Sequence, residues 1–236
     1  MISGGGRSLQ YSAFGKPTSI SKGNYSTAIK YGPHQQRVQR IDNENGVLKT
    51  TSYIGKLYER IESTNEVEHV HYMGEFGVHI RKEISGQRNN VYFHRDHIGS
   101  IVAKTDDSIQ SLSNIKHLAN EPWGQRQDQY WNGALLGSLS GNELEEVTYA
   151  TTRGFTDHEH LDGVGLIHMN GRVYDPIVGR FVSPDPWIQD PQNSQSFNRY
   201  SYVWNNPLRY TDPTGEIVWV PIIWGVAKAV GWGLTA

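Results

Sequence analysis

The sequence predicts an all-β protein made of stacked β-hairpins, on three observations. Turn formers and aromatics are both abundant, with 25 glycines, 10 prolines, 13 tyrosines and 7 tryptophans among 236 residues, a balance that favours many short strands over long helices. Short runs alternate in polarity: in Val67 to Tyr72, the residues Val67, His69 and His71 take one face of a strand and Glu68, Val70 and Tyr72 the other. Finally, the first half of the chain is self-similar at a period of about 20 residues, which marks units that bury a face only by stacking on their neighbours.

That period is read from Tyr31, Tyr53, Tyr72 and Tyr92, spaced 22, 19 and 20 apart. Each is followed within seven residues by a glycine (Gly32, Gly55, Gly74, Gly99), and five residues after those glycines come Arg37, Arg60, His79 and Lys104. A strand, a glycine turn and a second strand make one hairpin per unit. The expectation is four units between Lys30 and Lys104 with equivalent tyrosines on one side, inside a β scaffold covering residues 1–108. Residues 109–148 read as an irregular connection. Glu121-Pro122-Trp123-Gly124 in it signals a turn, and LLGSLSGNELEE is open between a short helix and a loop. Strand periodicity returns from about residue 149 and runs to residue 216, and residues 217–236 form an apolar tail.

Composition excludes several classes of function. A formal net charge of −2 with 19% charged residues leaves no electrostatic footprint for nucleic acid or an anionic membrane. With no cysteine there is no disulfide framework, thiolate-held zinc or thiol nucleophile. No phosphate loop, dinucleotide fingerprint or nucleophile elbow occurs, so no cofactor is expected. Two histidine clusters, His94-Arg95-Asp96-His97 and Asp157-His158-Glu159-His160, lack a helical H-E-x-x-H pair or a third convergent ligand. They are read as turns and strand faces rather than metal sites. The opening MISGGGRSLQ has no apolar signal-peptide core, and it begins within a repeat-like pattern, as a piece of a longer protein does.

The most specified stretch runs from Gly171 to Gly215. It holds YDP-x-x-GRF-x-SPDP, then NRY-x-Y-x-x-NNP, then P-x-x-x-x-DP-x-G. In this order the three motifs resemble the core that closes Rhs and YD-repeat proteins, including the C subunits of Tc-type toxin complexes. VYFHRDHIGSIVAKTDD likewise resembles a frequent Y-x-H-x-DH-x-GS repeat unit of that family, with Asp96 supplying the acid. The resemblance implies a β-hairpin spiral forming part of a hollow shell, closed by the core domain. It implies a polymorphic toxin of contact-dependent competition, secreted or at the cell surface within a longer protein. Its partners would be upstream repeats, a delivery apparatus and a C-terminal effector region that the shell encloses. Nucleic acid is not among them; membrane contact would come only through the tail.

Self-cleaving members of the family imply a role for Asp185 of SPDP and Asp212 of DP-x-G as an aspartic dyad cutting just after DPTG, in the region Gly215, Glu216 and Ile217. Elementary chemistry agrees. Two carboxylates in a partly dry site resist double ionisation, so one keeps a proton and acts as an acid while its partner acts as a base. Each aspartate precedes proline, which restricts its backbone to extended conformations. Read alone, Asp-Pro is also a plain turn former, as at Asp175-Pro176 and Asp190-Pro191. Arg180 of GRF is expected to be the cation beside the pair, with Arg172 and Arg199 as lesser candidates. Glu216 stands where self-cleaving relatives usually carry Leu, which places a third carboxylate next to the site. The tail, with Lys228 as its one charge and with Trp219, Trp224 and Trp232, has the length of a bilayer span; Pro221, Gly225, Gly231 and Gly233 favour a segment buried inside the shell. The rival readings are a non-enzymatic surface protein that binds carbohydrate or a neighbouring cell through aromatic-rich strands, and an inactive fragment.

Overall fold

Hairpin follows hairpin without a crossover in the computed structural model of the chain, which describes residues 3–107, 115–127 and 147–219. Twelve antiparallel strands pair strictly in chain order: β1 (Ser3–Gly4), β2 (Arg7–Tyr11), β3 (Pro17–Lys22), β4 (Tyr25–Tyr31), β5 (Arg37–Glu44), β6 (Val47–Ile54), β7 (Tyr58–Glu62), β8 (Val67–Tyr72), β9 (Gly77–Lys82), β10 (Arg88–Arg95), β11 (Ile101–Asp106) and β12 (Lys116–His117). The sheet does not close into a barrel: β1 and β12 are its two edges among the described residues. The repeat glycines Gly55, Gly74 and Gly99 have φ of 58°, 64° and 85°, the left-handed conformation that glycine adopts without steric cost. In the unit after Tyr31 the positive φ falls on Gln35 instead of Gly32.

The repeat row is real, with two corrections. Tyr31, Tyr53 and Tyr72 turn their hydroxyls inward, onto His168, Glu159 and Glu59 respectively. Tyr92 does not join them. It is 41% exposed and donates to Asp107, while its neighbour Phe93 is 8% exposed and packs in the core. Alternation along β10 lets only one of two adjacent residues face inward, and a register shift between His94 and Arg95 reads against any fixed spacing. The basic positions are not equivalent either. Lys104 is buried and donates to the Val147 and Tyr149 carbonyls, Arg37 pairs with Glu159, and Arg60 pairs at the surface with Glu62. The same hairpin pattern begins upstream of Lys30, with Tyr11 and the Gly15 turn between β2 and β3.

A second, four-stranded antiparallel sheet lies against the inner face of the first: β15 (Glu159–Leu161), β16 (Leu166–Met169), β17 (Arg172–Asp175) and β18 (Arg180–Phe181). Between the two in sequence is a ribbon of β13 (Ala119–Asn120) and β14 (Arg126–Gln127), closed by the Pro122-Trp123-Gly124 turn with Gly124 at φ 90°. LLGSLSGNELEE and the tail beyond residue 219 lie outside the described residues. Leu9, Ile20 and Ile29 of the large sheet pack with Leu161, Leu166 and Val173 of the small one and with Val182 just after it, so the two share one core. Burying each such aliphatic side chain contributes roughly 1.5–3 kcal/mol.

Charges cross the same boundary. Arg7 reaches Asp175 at 2.7 Å and the Val164 carbonyl at 2.6 Å, and Glu159 accepts from Arg37, Arg40 and Tyr53. Asp175 is therefore more than a turn residue. Its Oδ1 closes the turn on the Ile177 amide while Oδ2 binds the Arg7 guanidinium of the repeat sheet.

Candidate active site

The aspartates of SPDP and DP-x-G are brought together on one guanidinium. Arg172 Nη2 lies 3.0 Å from Asp185 Oδ2 and 3.3 Å from Asp212 Oδ2. Those two oxygens are therefore at most about 6 Å apart, the range in which like charges perturb one another. Asp185, Asp212 and Arg172 are 7%, 1% and 5% exposed. Beside them is a hollow of about 20 Å³, lined by the three residues with Gln189, Arg199 and Val218, and large enough for a single water molecule.

Arg172 takes the place expected of Arg180. On β18 the side chains alternate: Phe181 faces inward beneath the Arg172 guanidinium, whose Cζ stands 3.6 Å over its ring, so Arg180 faces away and donates to its own neighbour's carbonyl, Gly179 O. All four residues of β17 are buried, and Arg172 is committed in four directions: to both carboxylates, to the Gly215 carbonyl through Nε, and to the Arg199 carbonyl at 3.3 Å. Arg199 serves the backbone, with its Nε 2.5 Å from the Asp185 carbonyl and the Asp185 amide returning a bond to the Arg199 carbonyl.

Asp212 is fixed by the chain that follows it. Its Oδ1 accepts from the amides of Glu216 at 3.1 Å and Ile217 at 2.9 Å and from the Thr214 hydroxyl at 3.2 Å, while its own carbonyl accepts from His158 Nε2 at 2.8 Å. Burial raises the Asp212 pKa above the usual carboxylate value, against the lowering effect of these bonds and of Arg172. Burial also lowers the Arg172 pKa, opposed by the two aspartates and Glu216. Asp185 Oδ1 closes its Asp-Pro turn on the Trp187 amide at 2.8 Å, leaving Oδ2 for Arg172 and, at 3.4 Å, for Gln189.

The segment Gly215, Glu216 and Ile217 runs across this site. Gly215 has φ 73°, and a Cβ there would meet the Met169 carbonyl oxygen at 1.8 Å, so only glycine fits. The Glu216 side chain lies over Gly171 and lines a separate cavity of about 730 Å³ that also contains Lys16. Its carboxylate thus faces a cavity lined by residues of both charges, Lys16 and Asp157 among them. Two site residues lay outside the sequence reading. His158 belongs to a cluster that reads as a turn and strand face, and Gln189 carries no motif of its own. Of the histidine clusters, Asp96 closes a turn on the amides of Ile98 and Ser100, and His160 is buried with Nε2 accepting from the Phe155 amide. No group of three or more His, Cys, Asp or Glu among the described residues is placed to hold a metal ion.

Meander and motif-bearing core together are similar to Rhs and YD-repeat proteins, the C subunits of Tc toxins among them. No protein-family model matches the chain. It is 24% identical over 209 residues to the tRNA3(Ser)-specific nuclease WapA of Bacillus spizizenii, a match covering 86% of this chain and 8% of that protein. It is 38% identical over 79 residues to the toxin subunit YenC2 of Yersinia entomophaga, covering 34% of this chain and 7% of YenC2. Among solved structures, that of TcdB2-TccC3 superposes with a TM-score of 0.70 at 22% identity, over 89% of this chain and 10% of the other. That match establishes the fold, a YD-repeat shell type. The chain spans less than a tenth of the length of these relatives.

Proposed function

We propose that this chain is the shell and core module of an Rhs-type toxin, and that it frees a C-terminal effector region by cutting itself once beside Glu216. One observation carries the reading: a peptide is held at both ends by the charged residues of the site. The Gly215 carbonyl rests on Arg172 Nε and the Glu216 amide on Asp212 Oδ1. The next peptide, Glu216–Ile217, is held the same way, with its carbonyl on Gln189 Nε2 at 2.5 Å and its amide on Asp212.

The reaction is hydrolysis with water as the only co-reactant. Asp185, which lines the hollow, takes a proton from water as the water oxygen bonds to the carbonyl carbon. The donor on the carbonyl, Arg172 for the Gly215–Glu216 bond, stabilises the oxyanion. Asp212, whose Oδ1 lies against the leaving amide, passes the one proton that the carboxyl pair shares to the leaving nitrogen as the C–N bond breaks. One new carboxyl and one new amine result. No metal or cofactor enters this scheme.

Delivery as part of a secreted or surface-exposed protein belongs to the same proposal. The described residues contain no helix long and apolar enough to cross a membrane. The carbohydrate-binding alternative needs exposed aromatic rows, and three of the four repeat tyrosines face the core instead. Mass spectrometry of the purified chain tests the reading. Two species should appear, split at one of the bonds flanking Glu216, and Asp185→Asn and Asp212→Asn should each leave the chain whole. Cleavage persisting in either variant would remove the dyad from the reaction.

A further inference from the structure

The large cavity, the buried charge cluster around Glu159 and the exposed apolar residues at the hairpin turns each lack a feature that defines what would occupy or use them. The contacts around Gln189 do define something. Its Nε2 donates to the Glu216 carbonyl at 2.5 Å and approaches Asp185 Oδ2 at 3.4 Å, and its Oε1 accepts from the Val218 amide at 2.8 Å. One side-chain amide thus makes the pair of bonds that a neighbouring β-strand makes, to the carbonyl of one residue and the amide two residues on. Thr211 and Trp219 then close the segment with reciprocal backbone bonds of 3.2 and 2.6 Å.

Side chains along this segment alternate accordingly. Ile217 and Trp219 are 57% and 61% exposed, whereas Val218 packs against the apolar cluster around Tyr174 and Tyr202. Upstream, Gly215 admits no Cβ. We infer that Gln189 is the positioning residue that holds the chain beyond the cut in extended form by its main chain, so that the site selects glycine at 215 and an apolar residue at 218 and leaves 217 and 219 open. The substrate class is an extended peptide of the form Gly-x-x-apolar. A self-cleaving module with that selectivity accepts many different sequences downstream.

This inference rests on the proposed self-cleavage, and two readouts on the full chain separate them. In the first, cleavage is timed by mass spectrometry. Gln189→Ala should slow it by about 100-fold, the scale expected when reacting groups are misplaced by an ångström. Val218→Ser should slow it as well, Gly215→Ala should abolish it, and Trp219→Ser, at an exposed side chain, should leave the rate unchanged. In the second, hydrogen exchange is followed in Asp185→Asn, which stays whole. There the Val218 amide should be protected, and adding Gln189→Ala should expose it without moving the urea midpoint. If the wild-type chain is cut and Gln189→Ala is cut equally fast, the inference fails while the proposed function stands. If the wild type is never cut, the proposed function fails, and the clamp itself is overturned only by a Val218 amide that exchanges alike with and without Gln189.

Discussion

A single arginine decides the character of the site. Arg172 contacts two buried aspartates and a carbonyl at once, which a lysine, with one compact ammonium, cannot do from the same place. Arg172→Lys is therefore expected to cut the cleavage rate by about 100-fold or more in a mass-spectrometric time course, while Arg180→Lys leaves it unchanged. The two aspartates were legible only through the resemblance of SPDP and DP-x-G to the motifs of self-cleaving relatives, since Asp-Pro by itself is equally a turn. The arginine was legible only as a lesser candidate, because strand alternation assigns a side chain to a face only when one face is exposed, and β17 is buried on both. Its neighbour on the other strand, Arg180, sat inside the better motif but on the wrong side of Phe181. His158 illustrates the same limit. A histidine in an acidic cluster invites a metal reading, whereas burial lowers its pKa to about 4, and the neutral ring donates to the Asp212 carbonyl. The sign follows: its unfolded form takes a proton below the ordinary value of 6.5 and the folded form does not until about pH 4, so stability is lost as pH falls through that window. From pH 7 to pH 5 the loss is about 2 kcal/mol for this residue. His160 and His168, also pushed down by burial, act in the same direction. Urea midpoints at the two pH values check it; equal midpoints would show that His158 is already charged in the fold.

At the scale of the element, the hairpin was readable from Tyr-to-Tyr spacing and glycine turns, because a turn at positive φ and an inward aromatic are requirements that single residues meet. The register within each hairpin was not. The inward position of β10 comes 21 residues after Tyr72 rather than 20, and the aromatic that packs is Phe93. A contrast between adjacent residues tests this assignment. Phe93→Ala should cost about 3–5 kcal/mol by leaving a cavity in the core, and Tyr92→Ala no more than about 0.5 kcal/mol, as a surface change. Denaturant titration measures both, and a larger loss at Tyr92 would reverse the facing of β10. The PWG turn was equally legible, since Gly124 at φ 90° lies against the Phe155 ring, where a Cβ would come within 2.6 Å.

Across the whole molecule, the twelve-stranded sheet and the core are one folding unit, since they share aliphatic clusters and buried ion pairs. That union was only partly legible. Periodicity announces the sheet and the motifs announce the core, but contacts more than a hundred residues apart, such as Arg40 with Glu159 and Arg7 with Asp175, have no local signature. Glu159→Gln should be costly, about 3–5 kcal/mol, because Arg37 and Arg40 would stay buried without their counter-charge. A urea midpoint unchanged by that substitution would mean that the Glu159 charge cluster contributes nothing to holding the sheet and the core together. The whole fold also explains why chemistry is placed where it is: the small sheet fixes Arg172, the hairpin turns and Gln189 fix the segment after Asp212, and the large sheet covers the assembly.

The central claim is that the chain hydrolyses itself beside Glu216 with water admitted between Asp185 and Asp212. Letting the purified protein react in oxygen-18 water and weighing the upstream fragment tests it directly. The account predicts one heavy oxygen in the new terminal carboxyl, at Gly215 or Glu216, and none anywhere in Asp212→Asn, which stays intact. An upstream fragment that ends elsewhere, or one that carries no heavy oxygen, would contradict it.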